Sequence, residues 1–466
     1  MKKSWLLSLV IWIFISCLFA QGQTNTNKGP LRVSKTNPRY FTNDSGRAVY
    51  LTGFHTWDNL VDMVSSGSQK SFDFARYLQL MKSYNNNFIR LWAWELTNWN
   101  TSGNKEDEPV KLSVSPHPWL RTGPETAHDN KPKFDLARFD PEYFSRLEER
   151  IRLADNSGIY VAIMLFEGWG LQFSPGAFEN HPFHRDNNIN GINGDADGNG
   201  SGTEIHTLGI RAITSLQEAY VKHVIDIVNK YDNVLYEISN ENHPPSTEWQ
   251  YHMIRFIKDY EMKLSKQHPV GMTFQYKGGI NKTLLDSPAD WISPNPEGGY
   301  QKDPPPAEGT KVIITDTDHL WGIGGNQAWI WKSFLSGLNP IFMDPYECTI
   351  LKRSCDPDWL NKMRKNLGYT IHFANRMDLI SMIPLPALAS SSYCLANRGT
   401  EYLVYLPDTT EVTVNLSDAK GRFSTEWFNP DNGEFTKSKN IKGGSKIELN
   451  SPIAKPGTLV YLKKIR

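Results

Sequence analysis

Cysteine is scarce in this chain, and neither sign of charge is in excess. The 466 residues include 4 cysteines, and 50 lysines and arginines balance 50 aspartates and glutamates. Such a chain has no overall basic field for nucleic acid or anionic lipid, and no acidic excess that would predict disorder. We therefore expect a globular monomer that does not bind nucleic acid, with room for one large domain and a small one.

Sequence motifs for several chemistries are also missing. No glycine-rich phosphate loop follows the first predicted strand, which argues against a dinucleotide-binding fold. There is no His-Glu-x-x-His metal motif and no Gly-x-Ser-x-Gly elbow, so proteolysis and ester cleavage have no support. We expect neither an organic cofactor nor a catalytic metal.

The first residues have the pattern of an export signal. Met1-Lys2-Lys3 precedes an apolar run over 5–15 that is too short to be a membrane span. Small residues at Ala20 and Gly22 predict a signal peptide of residues 1-22, with Cys17 as an alternative lipidation site. We expect an exported protein in the periplasm, at the cell surface or outside the cell. Export permits a disulfide, and Cys348 with Cys355 is the closest pair; three reduced thiols are the alternative.

Buried strands alternate with amphipathic helices over more than three hundred residues. The strand candidates are 48–54, 88–92, 160–166, 234–238, 271–275, 290–293, 312–315 and 340–343. Asp140 and Pro141 predict the start of one helix, and Thr214 with Gln217 predicts a capping box in another. Eight such alternations indicate an α/β protein with a (β/α)₈ barrel over 31-380, preceded by a hairpin of 31–33 and 40–42.

After Pro384 the pattern changes to short runs of alternating apolar and polar residues. The runs are 402–406, 412–416, 423–428 and 459–462, separated by turn residues such as Asn432-Gly433 and Gly443-Gly444. This pattern predicts a small antiparallel β-sandwich over 385-466, packed behind the barrel.

Acidic residues and tryptophans follow several of the predicted strands. They lie in 90–95 after strand two, 167–169 after strand three, 240–241 after strand four and 316–321 after strand seven. Barrel enzymes place their active sites at this end of the strands. Two carboxyl groups with flat aromatic rings suit hydrolysis of a glycosidic bond, because one acid protonates the leaving oxygen and the other attacks the sugar.

The order of these residues resembles clan A of the glycoside hydrolases. Arg90 ends strand two, Asn240-Glu241 follows strand four, and acids follow strand seven. The resemblance implies that Glu241 is the acid/base and that the nucleophile follows strand seven, where Asp316 and Asp318 replace the clan's glutamate. Asp316 is favoured, because it follows the apolar run 312–314 at the place where the clan's glutamate would lie. We expect retention of configuration; the shorter aspartate leaves inversion as an alternative.

A closer resemblance covers nearly the whole chain. Residues 50–57 (YLTGFHTW), 187–192 (NNINGI), 236–241 (YEISNE) and 427–430 (WFNP) resemble bacterial proteins that join such a barrel to a β-sandwich named for collagen binding. The family 140 apiosidases are relatives of that architecture. The resemblance implies a secreted hydrolase acting on a plant or algal polysaccharide or its fragments. The alternatives are a non-catalytic glycan-binding barrel and a matrix-binding protein that acts through the sandwich.

Further residues at the predicted mouth are candidates for substrate binding. They are Arg90, Asn240, His55, Trp57, Trp94, Trp169, His319 and Trp321. Some of the tryptophans could instead belong to the core. Glu95, Glu167 and Glu347 are alternative acids, and Glu237, inside strand four, is expected to be structural.

One loop resembles the first half of a calcium-binding loop. Asp195, Asp197 and Asn199 place oxygen atoms at alternate positions, and Gly200 follows at the sharp turn. The twelfth position is His206 rather than a glutamate. A calcium ion and a plain surface loop both remain open.

Overall fold

The computed structural model describes residues 29–65, 71–101, 110–174, 176–348, 350 and 355–465. The predicted signal peptide and Cys17 lie outside the described residues. Within these ranges, no helix combines the length and the apolar character needed to cross a membrane.

The central element is a nearly closed parallel barrel of eight strands, as predicted. Barrel strands one to eight are Gly53–His55, Phe88–Leu91, Tyr160–Glu167, Val234–Asn240, Val270–Met272, Trp291–Ile292, Val312–Asp316 and Asn339–Met343. Each strand from two to seven is hydrogen-bonded to the strand that follows it in the chain, and strand eight is bonded to strand one. Strands one and two approach closely at Gly53, where a Cβ atom would lie 2.1 Å from the carbonyl oxygen of Phe88.

The predicted first strand, 48–54, is in fact two strands. Ala48–Val49 pairs with Phe41–Thr42, which also pairs with Arg32–Val33, so the predicted hairpin is part of a three-stranded sheet. Between this sheet and barrel strand one, two backbone amides donate to side chains instead of to the backbone of a neighbouring strand. Asn339 Oδ1 accepts from the amide of Leu51 at 3.1 Å, and Asn87 Oδ1 accepts from the amide of Thr52 at 3.0 Å.

Helices follow most of the barrel strands. They are Phe74–Ser83, Pro141–Asn156, Trp169–Phe173, Arg211–Val228, Thr247–Glu261, Asn281–Asp286, Asp318–Trp321, Gln327–Leu335 and Pro357–Arg376. The predicted N-cap is confirmed, since Asp140 accepts from the amide of Glu142 at 2.9 Å. The predicted capping box is wrong, because its helix begins at Arg211 and both residues lie inside it. Gln217 instead donates to the carbonyl of Ile205 at 2.8 Å.

Between barrel strands two and three, the described residues form four additional strands. Asp62–Ser65, Lys111–Ser115 and Asn98–Asn100 form an antiparallel sheet that also uses the segment after strand one. Trp119–Thr126 and Pro132–Phe139 form a hairpin. Sequence periodicity gave no prediction for these strands.

The C-terminal part is antiparallel and has two sheets. The first contains, in spatial order, Ile383–Pro384, Cys394–Asn397, Glu401–Leu406, Thr458–Lys464, Arg422–Asn429 and Glu434–Lys442. The second pairs Glu411–Asn415 with Lys446–Asn450. Trp427 and Val460 of the first sheet share a buried apolar cluster with Val414 and Leu449 of the second, so the two sheets form the predicted sandwich.

The opposite face of the larger sheet packs on the last two helices of the barrel. Phe428 lies 5.2 Å from Phe373 and 5.7 Å from Trp331, measured between ring centroids. Tyr461 and Leu403 belong to the same buried cluster. The sandwich and the barrel therefore share a continuous apolar contact.

Two further links tie the chain together. Cys348 and Cys355 form a disulfide after barrel strand eight, as predicted, while Cys394 is a buried free thiol. Asn37 donates from Nδ2 to the carbonyl oxygens of Met382, at 2.8 Å, and Ile380, at 3.2 Å. The N-terminal sheet is thereby joined to the segment that leads into the sandwich.

Candidate active site

Glu241 lies at the carboxyl end of barrel strand four and has an unusual backbone conformation. Its φ angle is +44°, in the left-handed region that a residue with a Cβ rarely adopts. Only 6% of the residue is exposed. Gln172 supports this turn by donating to the Glu241 carbonyl at 2.9 Å. Backbone strain of this kind is often found at active sites.

Arg90 holds three buried groups beneath the mouth of the barrel. Its Nε and one terminal nitrogen donate to the two oxygens of Glu237, at 2.8 and 2.5 Å. The same terminal nitrogen donates to Asn240 Oδ1 at 2.7 Å, and the other donates to Asp316 Oδ2 at 2.6 Å. Arg90 and Glu237 are each at most 1% exposed. The predicted structural role of Glu237 is thus to balance the charge of Arg90.

Asp316 is an ionised carboxylate enclosed by positive and donor groups. Burial alone would raise its pKa, but His55 and Arg90 outweigh burial and hold the pKa well below its usual range. Asp316 Oδ1 also accepts from the amide of Asp318 at 2.9 Å. Because the side chain is 1% exposed, both of its oxygens are directed into protein.

His55 supports Asp316. Trp92 donates from its indole nitrogen to His55 Nδ1 at 2.8 Å. An indole nitrogen can only donate, so the neutral ring of His55 carries its proton on Nε2, which lies 2.9 Å from Asp316 Oδ2. The ring is 1% exposed. Both ring nitrogens of His55 therefore face groups of the barrel, and its expected contact with substrate stays a prediction.

His319 has a similar supporting position. Its Nδ1 lies 2.9 Å from the hydroxyl of Ser293, and its Nε2 lies 3.3 Å from Asn240 Oδ1. Burial lowers the pKa of His319 to about 3, so the ring is neutral. Arg90 and His319 both engage the amide oxygen of Asn240, which directs the Nδ2 group of that amide away from them. His319 is thus bonded to Ser293 and Asn240, and its expected contact with substrate stays a prediction.

Asp318 and Glu241 are close neighbours at the mouth. One oxygen of each, together with a ring nitrogen of His319, all lie within 4.8 Å of one another. Asp318 is partly exposed. Burial raises the pKa of Glu241 well above its ordinary value, and the nearby Asp318 and Glu167 raise it further. Glu241 therefore keeps its proton to higher pH than a free glutamate.

Glu167 is a third carboxyl group at the same end of the barrel. It accepts from the amides of Trp169, at 2.7 Å, and Gly170, at 3.0 Å. Burial raises its pKa to about 8 despite these hydrogen bonds, and Glu95 contributes in the same direction. The side chain folds back on its own strand end, where Gly168 leaves room for Asn242. Glu347, another sequence candidate, pairs with Arg76 at 3.3 Å.

The four candidate tryptophans divide into two groups. Trp57 and Trp94 are buried, at 6% and 2% exposure. They pack against Trp99, with ring centroids 6.1 and 4.9 Å apart, so both rings belong to the core, and their expected contact with sugar stays a prediction. Trp169 and Trp321 are partly exposed. These two rings remain available to the sugar face of a substrate.

Sequence reasoning missed Tyr276 and Gln172. The amide of Tyr276 donates to the carbonyl of Asn242 at 3.0 Å, and its pKa is raised by burial and by the charge of Glu241. Tyr276 directly follows a predicted strand, so its position at a carboxyl end was a usable signal. Gln172 had no such signal, because its contact depends on how the helix Trp169–Phe173 folds back.

Within the part of the chain that the structure describes, three groups of side chains have the composition of a metal site. The first is Glu241, Asp318 and His319, which contains the acid pair described above. The second is His128, His184 and Asp186. The third is the loop proposed from the sequence. There Glu204 joins Asp195 and Asp197, with oxygens within 4.8 Å of one another. His206, at the twelfth position of that loop, is instead bonded to Glu95 at 3.0 Å.

Comparisons with known proteins agree with this architecture. Residues 104–286 match the family model of a "Domain of unknown function (DUF6298)", and residues 381–458 match the "Putative collagen-binding domain of a collagenase". No curated protein matches the chain. The first match therefore includes barrel strands three and four, and the second covers most of the sandwich.

Solved structures of glycoside hydrolases have the same overall fold. A family 5 glycoside hydrolase from Bacteroides vulgatus ATCC 8482 is 12% identical, has a TM-score of 0.59, and is matched over 94% of each chain. Another structure, described as a glycoside hydrolase, is also 12% identical, with a TM-score of 0.56 over 94% of this chain and 97% of its own. The chain thus has a glycosidase-like fold, and at this identity the comparison concerns the fold alone.

Proposed function

We propose that the protein is a glycoside hydrolase in which Glu241 is the acid/base and Asp318 is the nucleophile. The observation that carries this proposal is the close approach of these two carboxyl groups, since one oxygen of Glu241 lies within 4.8 Å of one oxygen of Asp318. Retaining glycosidases hold their two carboxyl groups roughly 5 Å apart. The pair lies at the carboxyl ends of barrel strands, where barrel enzymes bind substrate.

Asp318 suits the nucleophile better than Asp316, although its position in the sequence favours Asp316. A nucleophile needs an oxygen that can reach the anomeric carbon. Asp316 is 1% exposed and is enclosed by Arg90 and His55, whereas Asp318 is partly exposed beside Glu241. Asp316 then serves to hold Arg90 and the amide of Asp318 in place.

The proposed reaction has two steps. Protonated Glu241 gives its proton to the leaving oxygen while a carboxylate oxygen of Asp318 bonds to the anomeric carbon, so the glycosidic bond breaks and a glycosyl ester forms. Glu241, now ionised, removes a proton from water. The oxygen of that water attacks the anomeric carbon, the bond to Asp318 breaks and frees its carboxylate, and Glu241 is left protonated by the proton that it took from water.

The raised pKa of Glu241 fits its proposed role as acid. Before the first step it must be protonated, and burial with Asp318 nearby favours that form. Asn240, whose oxygen is held by Arg90 and His319, would direct its Nδ2 group toward a sugar hydroxyl. Trp169 and Trp321 would stack on sugar rings.

We further propose an exported enzyme that acts on a plant or algal polysaccharide or its fragments. The signal-like N-terminus supports export, and the resemblance to the family 140 apiosidases supports the substrate class. The sandwich would buttress the barrel, since the two share an apolar contact, and the protein would be a monomer.

The test is a screen of the mature protein on plant and marine polysaccharides, with released sugars measured by chromatography. Glu241→Gln and Asp318→Asn are each expected to lower kcat at least 1000-fold, and Asp316→Asn less. Glu248→Gln, on an exposed helix position, is the control and should be fully active. Azide should restore activity to an Asp318→Ala variant and give a product of inverted configuration.

Each of three outcomes would overturn part of this proposal. An inactive Asp316→Asn beside an active Asp318→Asn would make Asp316 the nucleophile. Sugar binding without turnover across the panel would indicate a non-catalytic glycan-binding barrel. Binding of the whole protein to matrix proteins but to no glycan would favour the matrix-binding alternative.

A further inference from the structure

A buried carboxylate, Glu95, lies between two buried histidines. Glu95 follows barrel strand two and its side chain is 8% exposed, while His181 and His206 have no exposed side-chain surface. One oxygen of Glu95 lies 3.0 Å from His206 Nε2, and the other lies 3.4 Å from His181 Nε2. Three distant segments of the chain thus meet at one carboxylate.

The hydrogen bonds show which group donates. His181 Nδ1 accepts from the amide of Phe183 at 2.9 Å, so the neutral ring carries its proton on Nε2 and donates to Glu95. Burial would raise the pKa of Glu95, but His206 and His181 outweigh it and lower the pKa to about 2. Glu95 is therefore a buried anion whose oxygens accept from both rings.

A chain of hydrogen bonds leads from Glu95 to Glu241. The same oxygen of Glu95 that meets His206 accepts from the amide of Glu167 at 2.8 Å. The carboxylate of Glu167 accepts from the first two amides of the helix Trp169–Phe173. From that helix, Gln172 donates to the carbonyl of Glu241 at 2.9 Å. Each link is between groups that are buried or partly buried.

We propose that Glu95, clamped by His181 and His206, is a positioning residue that holds the acid/base Glu241 through Glu167 and Gln172. This inference rests on the proposed function. Glu241 has a left-handed backbone, so its side-chain direction depends on the contacts that maintain this conformation. A small displacement of a catalytic group costs much of its rate, because proton transfer needs hydrogen-bond geometry.

A misplaced acid has an effect that general loss of structure does not share. Cleavage of a bond between sugars needs a proton on the leaving oxygen, whereas a dinitrophenyl glycoside has a leaving group that departs without one. Loss of acid positioning should therefore slow the oligosaccharide far more than the aryl glycoside. A smaller fraction of folded protein would slow both equally.

The experiment compares kcat/KM, which reports the step that cleaves the glycosidic bond, for the full-length mature protein on these two substrates, both made from the sugar found in the screen. Glu95→Gln is expected to lower kcat/KM on the oligosaccharide at least 10-fold and on the aryl glycoside less than 3-fold. Gln172→Met removes only the last link and should give the same selective pattern. If Glu95→Gln does not fold, the result for Gln172→Met alone decides whether the positioning role stands.

Glu261→Gln is the matched control, because Glu261 is also a buried carboxylate bound to a histidine. It lies 2.7 Å from His268 Nδ1, at the end of the helix Thr247–Glu261. This variant should lose stability without any selective loss on the oligosaccharide.

Glu241→Gln separates the two levels of the proposal. If it is fully active, the proposed function fails and the positioning role fails with it. If Glu241→Gln shows the selective loss while both Glu95→Gln and Gln172→Met slow the two substrates equally or not at all, the acid/base assignment stands and the positioning role is overturned.

Discussion

At the scale of single residues, Arg90 controls the charge balance of the site. Its guanidinium forms a two-pronged contact with Glu237 and a third contact with Asp316. Replacing Arg90 with lysine keeps the charge but loses the fork that serves two carboxylates at once. Breaking a buried ion pair costs about 3–5 kcal/mol. We expect Arg90→Lys to lower the free energy of unfolding by about 3 kcal/mol in urea titrations and to abolish activity.

The matched comparison is Arg76→Lys, whose partner Glu347 lies on a more exposed surface. Exposed pairs contribute about 0–1 kcal/mol, so this variant should be close to wild type. Equal losses for Arg76→Lys and Arg90→Lys would contradict the importance given to the buried pairs.

Glu167 should make stability depend on pH. Its pKa rises from an ordinary 4.5 to about 8 on folding. A raised pKa means that the folded protein binds this proton more tightly, so the stabilisation is complete below about pH 4.5 and is lost as pH rises through 8. The slope is at most about 1.4 kcal/mol per pH unit for one proton.

Thermal melting from pH 5 to pH 9 would test this effect. Glu167→Gln cannot ionise, so its melting temperature should fall less than that of the wild type over this range. Glu142→Gln, at a helix position with 69% of its side chain exposed, should follow the wild type. Parallel curves for Glu167→Gln and wild type would show that Glu167 does not titrate there.

The sequence placed the candidate acids at the carboxyl end of the barrel, but it did not predict which aspartate lies at the mouth. Asn240-Glu241 and the two aspartates follow apolar runs, so the carboxyl-end rule found them. Which aspartate faces the mouth depends on the direction of the chain after barrel strand seven, which a pattern of apolar residues does not encode. The supporting roles of His55 and His319 depend in the same way on contacts between distant strands.

At the scale of elements, the loop after barrel strand eight is closed by a disulfide. Cys348 and Cys355 are seven residues apart, and the chain-entropy estimate for so short a loop is about 2.5 kcal/mol. We expect Cys348→Ser with Cys355→Ser to lower the free energy of unfolding by about this amount. Cys394→Ser, which alters a free thiol in the sandwich, is the control for changes in sulphur content. The wild type in reductant should be as stable as the double variant. If the oxidised wild type were no more stable than either of them, that result would contradict the disulfide.

Elements with a local signal were predicted well, and those defined by distant partners were not. The helix Pro141–Asn156 carries its own N-cap and proline, so its start was predictable. The split of the first strand was not, because the amides between its two halves bond to Asn339 and Asn87. Nothing near residues 48–54 signals those partners.

At the scale of the whole molecule, the barrel and the sandwich should unfold together. Phe428 is buried among Phe373, Trp331 and Tyr369 at their contact. Truncating a buried phenylalanine costs about 3–5 kcal/mol. We expect Phe428→Ala to reduce hydrogen-exchange protection in the helix Pro357–Arg376 and in the sandwich strands alike.

Val414→Ala is the companion variant, because Val414 lies in the inner core of the sandwich and away from the barrel. If the two parts form one cooperative unit, this variant should also lower protection in the barrel helix. Loss confined to the sandwich in both variants would show that the two parts unfold independently.

The bond between Asn37 and Met382 has a consequence for the order of assembly. The two residues are 345 positions apart, so a ribosome adding 5–20 residues per second makes them roughly 20–70 s apart. During that interval the amide of Asn37 has no native acceptor. The segment around Asn37 therefore cannot form this bond until the segment around Met382 has been made. Until then the contact between the two segments is incomplete, and a chaperone or a protease could act there.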